Sequence, residues 1–68
     1  MHDLNFMVYV YAIKSLKENY IYVGLTVNLD RRIREHNTGR SKTTRSRTPF
    51  TIIIVEEYPN RVLARTRE

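Results

Sequence analysis

Between positions 8 and 25 apolar residues come in two short runs, parted by a polar break at Leu16, Lys17, Glu18 and Asn19. Val8, Tyr9, Val10, Tyr11 and Ile13 before the break, and Tyr20, Ile21, Tyr22 and Val23 after it, are β-branched or aromatic. Such residues suit a pleated, half-buried surface, so the pattern predicts a β-hairpin. After Leu25 the period lengthens: Leu29, Ile33 and His36 recur at i, i+4 and i+7, the stripe of an amphipathic helix. Asn28 is a good N-cap, Asp30 sits where the helix dipole favours a carboxylate, and Gly39 is placed to end the helix in the left-handed conformation. The helix is therefore predicted over 29–37. Pro49 then stops the chain before a strand over 50–58, whose continuous run Ile52, Ile53, Ile54, Val55 is apolar on both faces and predicts the middle of a sheet. Asn60 can cap a second helix from Arg61, too short to stand alone in water. The elements run ββαβα, an α+β domain with a three-stranded antiparallel sheet flanked by helices.

The pairing of the hairpin decides what its tyrosines can do. Folding symmetrically about the break sets Tyr11 opposite Tyr22 and Tyr9 opposite Gly24, with both motif hydroxyls on one face. A glycine within a strand marks a bulge, a strand end or a close backbone approach. Packing alone accounts for many cross-strand tyrosine pairs, so the hairpin by itself does not define a site.

Charge adds a partner. The chain of 68 residues carries a formal +5, concentrated in Arg31, Arg32, Arg34, Arg40, Lys42, Arg45 and Arg47 against the single acid Glu35. A basic patch of this kind fits a nucleic-acid backbone. On the predicted helix Arg32 lies at the border of the apolar stripe, aimed at the hairpin, whereas Arg31 and Arg34 project to the solvent side. Residues 40–48 contain Ser, Thr, Arg and Lys but no hydrophobic residue, so they are expected to form a mobile loop whose hydroxyls and guanidinium groups suit phosphate oxygens. The lack of cysteine excludes disulfides and thiolate metal sites, and His2 and His36 lack the spacing of a metal pair. No signal peptide or long apolar segment is visible, so neither a membrane nor secretion is expected, and the cytoplasm is the expected compartment.

Taken in order and spacing, these residues resemble the GIY-YIG nuclease family, in particular small single-domain bacterial members similar to the nuclease module of the excinuclease C subunit. Tyr9, Val10 and Tyr11 stand in the place of the first motif, with Tyr9 where the naming glycine would be, and Tyr22, Val23 and Gly24 in that of the second. The similarity continues through Thr26, Asp30, Arg31 and Arg32, His36, the Asn37-Thr38-Gly39 helix exit, the third strand, and residues 64–68. It covers positions 7–68 as one domain. The resemblance implies metal-dependent hydrolysis of DNA phosphodiester bonds, in repair or recombination, with branched or damaged DNA among the expected partners. It further implies Tyr11 and Tyr22 as the motif tyrosines, one of them acting as or positioning the base. Arg32 would be the arginine on the phosphate, His36 an auxiliary residue, and Glu68 the ligand for Mg2+ or Mn2+. Arg31, Arg34, Arg40, Lys42, Arg45 and Arg47 are the candidate DNA contacts. Because the family's last helix continues past that glutamate, a chain ending at Glu68 reads as C-terminally short. A non-catalytic nucleic-acid-binding module and an adaptor using the third strand are the rival readings.

Overall fold

A computed structural model describes residues 7–67. Three strands, β1 (Val8–Ser15), β2 (Ile21–Thr26) and β3 (Phe50–Tyr58), form one antiparallel sheet in the order β2-β1-β3. Helix α1 (Leu29–Asn37) joins the hairpin to β3 by way of a short 3-10 turn (Arg45–Arg47), and α2 (Arg61–Arg67) follows β3. The α+β class, the ββαβα order and the bounds of α1 and β3 agree with the sequence reading.

The position of β3 does not. The all-apolar run was expected in the middle of the sheet, but β1 takes that place and β3 is an edge strand. Ile52, Ile53, Ile54 and Val55 consequently remain between 40% and 49% exposed. The reason lies in β1, which is covered on both faces. Val8 and Val10 pack against Ala64 of α2, with Leu25 and Tyr58 at the margin. Tyr11 and Ile13, on the opposite face, pack with Phe50 under Leu29 and Ile33 of α1. A strand with a helix over each face and a partner along each edge has no solvent side, whereas among the described residues β3 is paired only with β1.

The hairpin register also differs from the symmetrical pairing. Tyr11 faces Gly24, Tyr9 faces Thr26 and Ile13 faces Tyr22, a slip of two residues. The turn is longer than expected, occupying residues 16–20, because the buried Ser15 hydroxyl organises it. That oxygen accepts from the backbone N–H groups of Lys17 at 3.0 Å and Glu18 at 3.2 Å, and donates to the Arg47 carbonyl at 2.7 Å. An even slip leaves every side chain on its original face. Tyr11 and Tyr22 therefore still share one.

Helix α1 begins as its sequence indicates, with Asn28 Oδ1 accepting from the Arg31 N–H at 3.1 Å, and ends before Gly39, whose φ of 80° is the left-handed value. Its last residue fixes the next strand. The Asn37 side chain accepts from the Phe50 N–H at 2.7 Å and donates to the Phe50 carbonyl at 3.4 Å, so one amide brackets the start of β3. In α2, Asn60 Oδ1 accepts from the Leu63 N–H at 3.0 Å, and Arg67 holds Glu56 of β3 through two bonds of 2.7 and 3.1 Å. Those contacts and the buried Ala64 seat a helix that propensity alone would not sustain.

Candidate active site

The site is assembled on one face of the sheet, where β1, β2, α1 and the loop after α1 meet. Tyr11 lies across Gly24. A methyl group at position 24 would meet the Tyr11 hydroxyl and stand 2.6 Å from Tyr11 Cζ and 2.9 Å from Tyr22 Cε2, so the missing side chain is what admits the ring. Tyr22 tilts beside it, with ring centroids 6.3 Å apart. His36, on the next-to-last residue of α1, lies against both rings, its centroid 5.7 Å from Tyr11 and 4.9 Å from Tyr22.

Hydrogen bonds tie these rings to the loop. His36 Nε2 is 2.8 Å from the Tyr11 hydroxyl, and His36 Nδ1 is 2.8 Å from the hydroxyl of Thr44. His36 and Thr44 are both 0% exposed. Burial, reinforced by the charge of Arg32 and partly opposed by Glu35, holds the His36 pKa below the ordinary imidazole value. The imidazole is therefore neutral at physiological pH, with one donor and one acceptor nitrogen.

Arg32 closes the cluster one turn before His36. Its guanidinium bonds Glu35 Oε1 at 2.9 Å and also engages the Tyr11 and Tyr22 side chains. Burial works against its charge, but the Glu35 bond and the two phenols outweigh that and raise its pKa further above the ordinary value. Glu35 is correspondingly held below the usual carboxylate range, first by its bond to Arg32 and then by the nearby arginine charges. The result is a cation fixed beside two phenols, with a carboxylate steering it from behind.

All four residues proposed as catalytic from the sequence, Tyr11, Tyr22, Arg32 and His36, thus meet at one place. Tyr9 shares their face but sits toward the N-terminus of α1, in a shallow cleft with Val27, Asn28, Leu29 and Asp30. Glu68 lies outside the described residues. Among the described residues no cluster of three His, Cys, Asp or Glu side chains could hold a metal, and the carboxylate next to the site, Glu35, is engaged by Arg32.

The basic residues separate into two sets. Arg31, Arg34 and Arg40 line one open groove beside α1, together with Glu35 and Thr38, while Lys42 and Arg45 are exposed on the loop. Arg47 instead forms part of a clasp: its side chain reaches Glu18 at 3.0 Å and lies 4.2 Å above the Tyr20 ring. Lys17 Nζ adds a bond to the Ser46 carbonyl at 3.3 Å.

The same loop corrects an expectation. Residues 40–48 were expected to be mobile with nothing to bury, yet Ser41 and Thr44 are buried and the 3-10 turn packs against the hairpin. Backbone bonds from Thr44 and Arg45 to the Ser41 carbonyl, at 3.2 and 3.0 Å, fold the loop back on itself. Hydroxyl groups can be buried when they find a polar partner, and His36 supplies one for Thr44. Thr44, Asn37 and Ser15 are the residues of this region that the sequence reading missed. A weak signal for Asn37 was its place just before the helix-ending Gly39.

Comparison with known proteins gives the family. The model of the GIY-YIG catalytic domain matches residues 7–68, and the chain belongs to that family. It is 41% identical over 61 residues to a UPF0213 protein of Haloquadratum walsbyi, covering 88% of this chain and 67% of that one. A UPF0213 protein of Clostridium perfringens is 41% identical over 63 residues, covering 91% of this chain and 67% of the relative. The structure-specific endonuclease subunit SLX1 homolog of Drosophila melanogaster is 40% identical over 65 residues, 84% of this chain but 22% of that longer protein. No solved structure matches the chain. Among the described residues no helix is long and apolar enough to cross a membrane.

Proposed function

We propose that this protein is a metal-dependent endonuclease that hydrolyses phosphodiester bonds in DNA. The observation that carries the reading is the convergence of Tyr11, Tyr22, Arg32 and His36 on one face, beside a groove lined by Arg31, Arg34 and Arg40. Phosphoryl transfer gathers negative charge on the non-bridging oxygens, and Arg32 is a fixed cation positioned to stabilise it. An ordinary phenol titrates near 10, so a tyrosine that takes a proton from water needs a cation beside it. Tyr22 is only partly buried and Tyr11 almost wholly so, which makes Tyr22 the phenol that water can reach. Tyr11 and His36 support it from the interior, and the outer arginines hold the DNA backbone through phosphate contacts.

Glu68 is the residue proposed to hold Mg2+ or Mn2+; a single carboxylate suffices when substrate phosphate and water complete the oxygen shell. The ion would supply Lewis-acid stabilisation of the developing charge. The fly relative is named a structure-specific endonuclease, and branched DNA, which the family resemblance implies, is the substrate form of first interest, with a proposed role in repair or recombination in the cytoplasm. Cleavage of supercoiled plasmid and of a labelled branched duplex, with Mg2+ or Mn2+, is the test. Cutting that disappears with EDTA, with Arg32→Ala and with Glu68→Ala supports the reading. A plasmid that shifts on a gel yet stays intact under all conditions would instead make the domain a non-catalytic DNA-binding module.

A further inference from the structure

We propose that Thr44 is a positioning residue of this site: it donates its hydroxyl proton to His36 Nδ1, fixes the ring in the Nε2–H tautomer, and so makes His36 a donor to Tyr11. The available protons fix the direction of each bond. Thr44 is 0% exposed, and among the described residues its hydroxyl has no hydrogen-bond partner other than His36 Nδ1, at 2.8 Å. A buried O–H with one neighbour donates to it, because an unmet donor in the interior carries the full desolvation penalty. Nδ1 is then the acceptor nitrogen of a neutral imidazole, and the ring proton must be on Nε2. The atom facing Nε2, at 2.8 Å, is the Tyr11 hydroxyl oxygen. His36 is kept neutral by its burial and by Arg32, so the two nitrogens cannot both donate.

The consequence falls on Tyr11. Had the ring carried its proton on Nδ1, Nε2 would accept the phenolic proton and Tyr11 would direct it into the interior. In the Nε2–H form the Tyr11 oxygen accepts from His36 and from the Arg32 guanidinium, which has only donors. Its own proton is thereby turned away from His36 and Arg32, toward an acceptor on another side of the oxygen. Two buried residues on different segments thus set the polarity of a hydrogen-bond chain that ends at the reacting group. Thr44 bonds the His36 ring, and it acts on Tyr11 through that ring.

This inference rests on the nuclease reading for its effect on rate, but the tautomer can be read without any activity. The experiment is nitrogen-15 NMR of the histidine side chains in the full chain, on wild type, Thr44→Val and Thr44→Ser, with His36→Gln to assign the signals. Plasmid cleavage kinetics are run on the same samples. The expected result is a pyridine-like Nδ1 and a protonated Nε2 in wild type, and a shifted or mixed pattern in Thr44→Val. The kcat of Thr44→Val should fall about tenfold or more with KM for DNA unchanged, as for other residues that orient a site through a neighbour. Thr44→Ser keeps the hydroxyl and should restore both readouts. A protonated Nδ1 in wild type, or Thr44→Val with His36 signals and kcat like wild type, overturns the proposal. A wild type that cuts no DNA defeats the nuclease reading alone, and the spectrum still decides the tautomer. Amide fingerprint spectra check that Thr44→Val is folded; should it not fold, the wild-type and Thr44→Ser spectra decide.

Discussion

Gly24→Ala is the substitution whose effect the structure fixes most closely. The added methyl group would meet the Tyr11 hydroxyl and stand 2.6 Å from Tyr11 Cζ and 2.9 Å from Tyr22 Cε2, against the 3.5–4.0 Å of an ordinary carbon contact. The Tyr11 ring would have to retreat by roughly an ångström. It is buried among Ile13, Phe50, Leu29 and Ile33, so there is no open space behind it. A displacement of that size stretches the 2.8 Å link to His36 beyond hydrogen-bonding range and takes from the buried Nε2 its bond to Tyr11. Overpacking costs about 1–3 kcal/mol, the broken bond about 1–3 kcal/mol, and the stiffer unfolded chain returns about 0.4–1 kcal/mol. The net is a destabilisation of about 3 kcal/mol, comparable with the whole stability of a domain this small. At roughly 4–8 °C per kcal/mol, the melting temperature should fall by about 12 to 24 °C.

Circular dichroism melts of wild type, Gly24→Ala, Tyr11→Phe and the double variant form a cycle that isolates the contact. Tyr11→Phe removes the hydroxyl that stands nearest the new methyl group and the bond that would be broken. Gly24→Ala should therefore be at least ~1 kcal/mol milder in that background. A single Gly24→Ala variant that melts within a few degrees of wild type would refute the reasoning, as would strict additivity of the two substitutions.

Arg32→Ala should lower cleavage by about a hundredfold or more, since it removes the cation aimed at the phosphate. Because the Glu35 pair is partly exposed, its melting temperature should stay within a few degrees of wild type. Asn37→Ala should destabilise the fold by about 1–3 kcal/mol in urea titration, because it leaves the Phe50 N–H without the acceptor that starts β3. His36 gives a pH dependence: its folded pKa lies below the unfolded value of about 6.5, so the unfolded chain binds the proton first. Its contribution is complete above about pH 6.5 and is lost as pH falls through that value toward the folded pKa. Denaturant midpoints measured from pH 7.5 to 5 should decline in wild type and flatten in His36→Gln.

What the sequence made legible was local. Runs of β-branched and aromatic residues located β1 and β2, a continuous aliphatic run located β3 and the i, i+4, i+7 stripe located α1, while Asn28 and Gly39 marked the ends of the helix for reasons of backbone chemistry that hold in any context. The shared face of Tyr11 and Tyr22 survived a wrong register because the slip was even. Sheet order was not legible: the run Ile52, Ile53, Ile54, Val55 is wholly aliphatic where β1 interleaves two tyrosines, and only the tertiary arrangement decides which strand receives two helices. The turn length depended on the Ser15 hydroxyl meeting the Arg47 carbonyl, a contact between positions 32 residues apart. Thr44 was hidden for a related reason. A loop of serines, threonines and arginines has no period, and its composition is that of a solvated segment until a buried acceptor appears from another element.

The chain contains five tyrosines and no tryptophan, and Tyr11, Tyr20 and Tyr22 lie in or beside the site. Its near-ultraviolet absorption and emission are consequently weighted toward the candidate site. Tyr11 and Tyr22 lie close enough for excitation to pass between them, and His36 stands against both as a local quencher that would strengthen if its ring were charged. The protein is its own optical probe: a phosphodiester ligand without bases settling on the site would alter the emission of the unlabelled protein while staying transparent at the exciting wavelength.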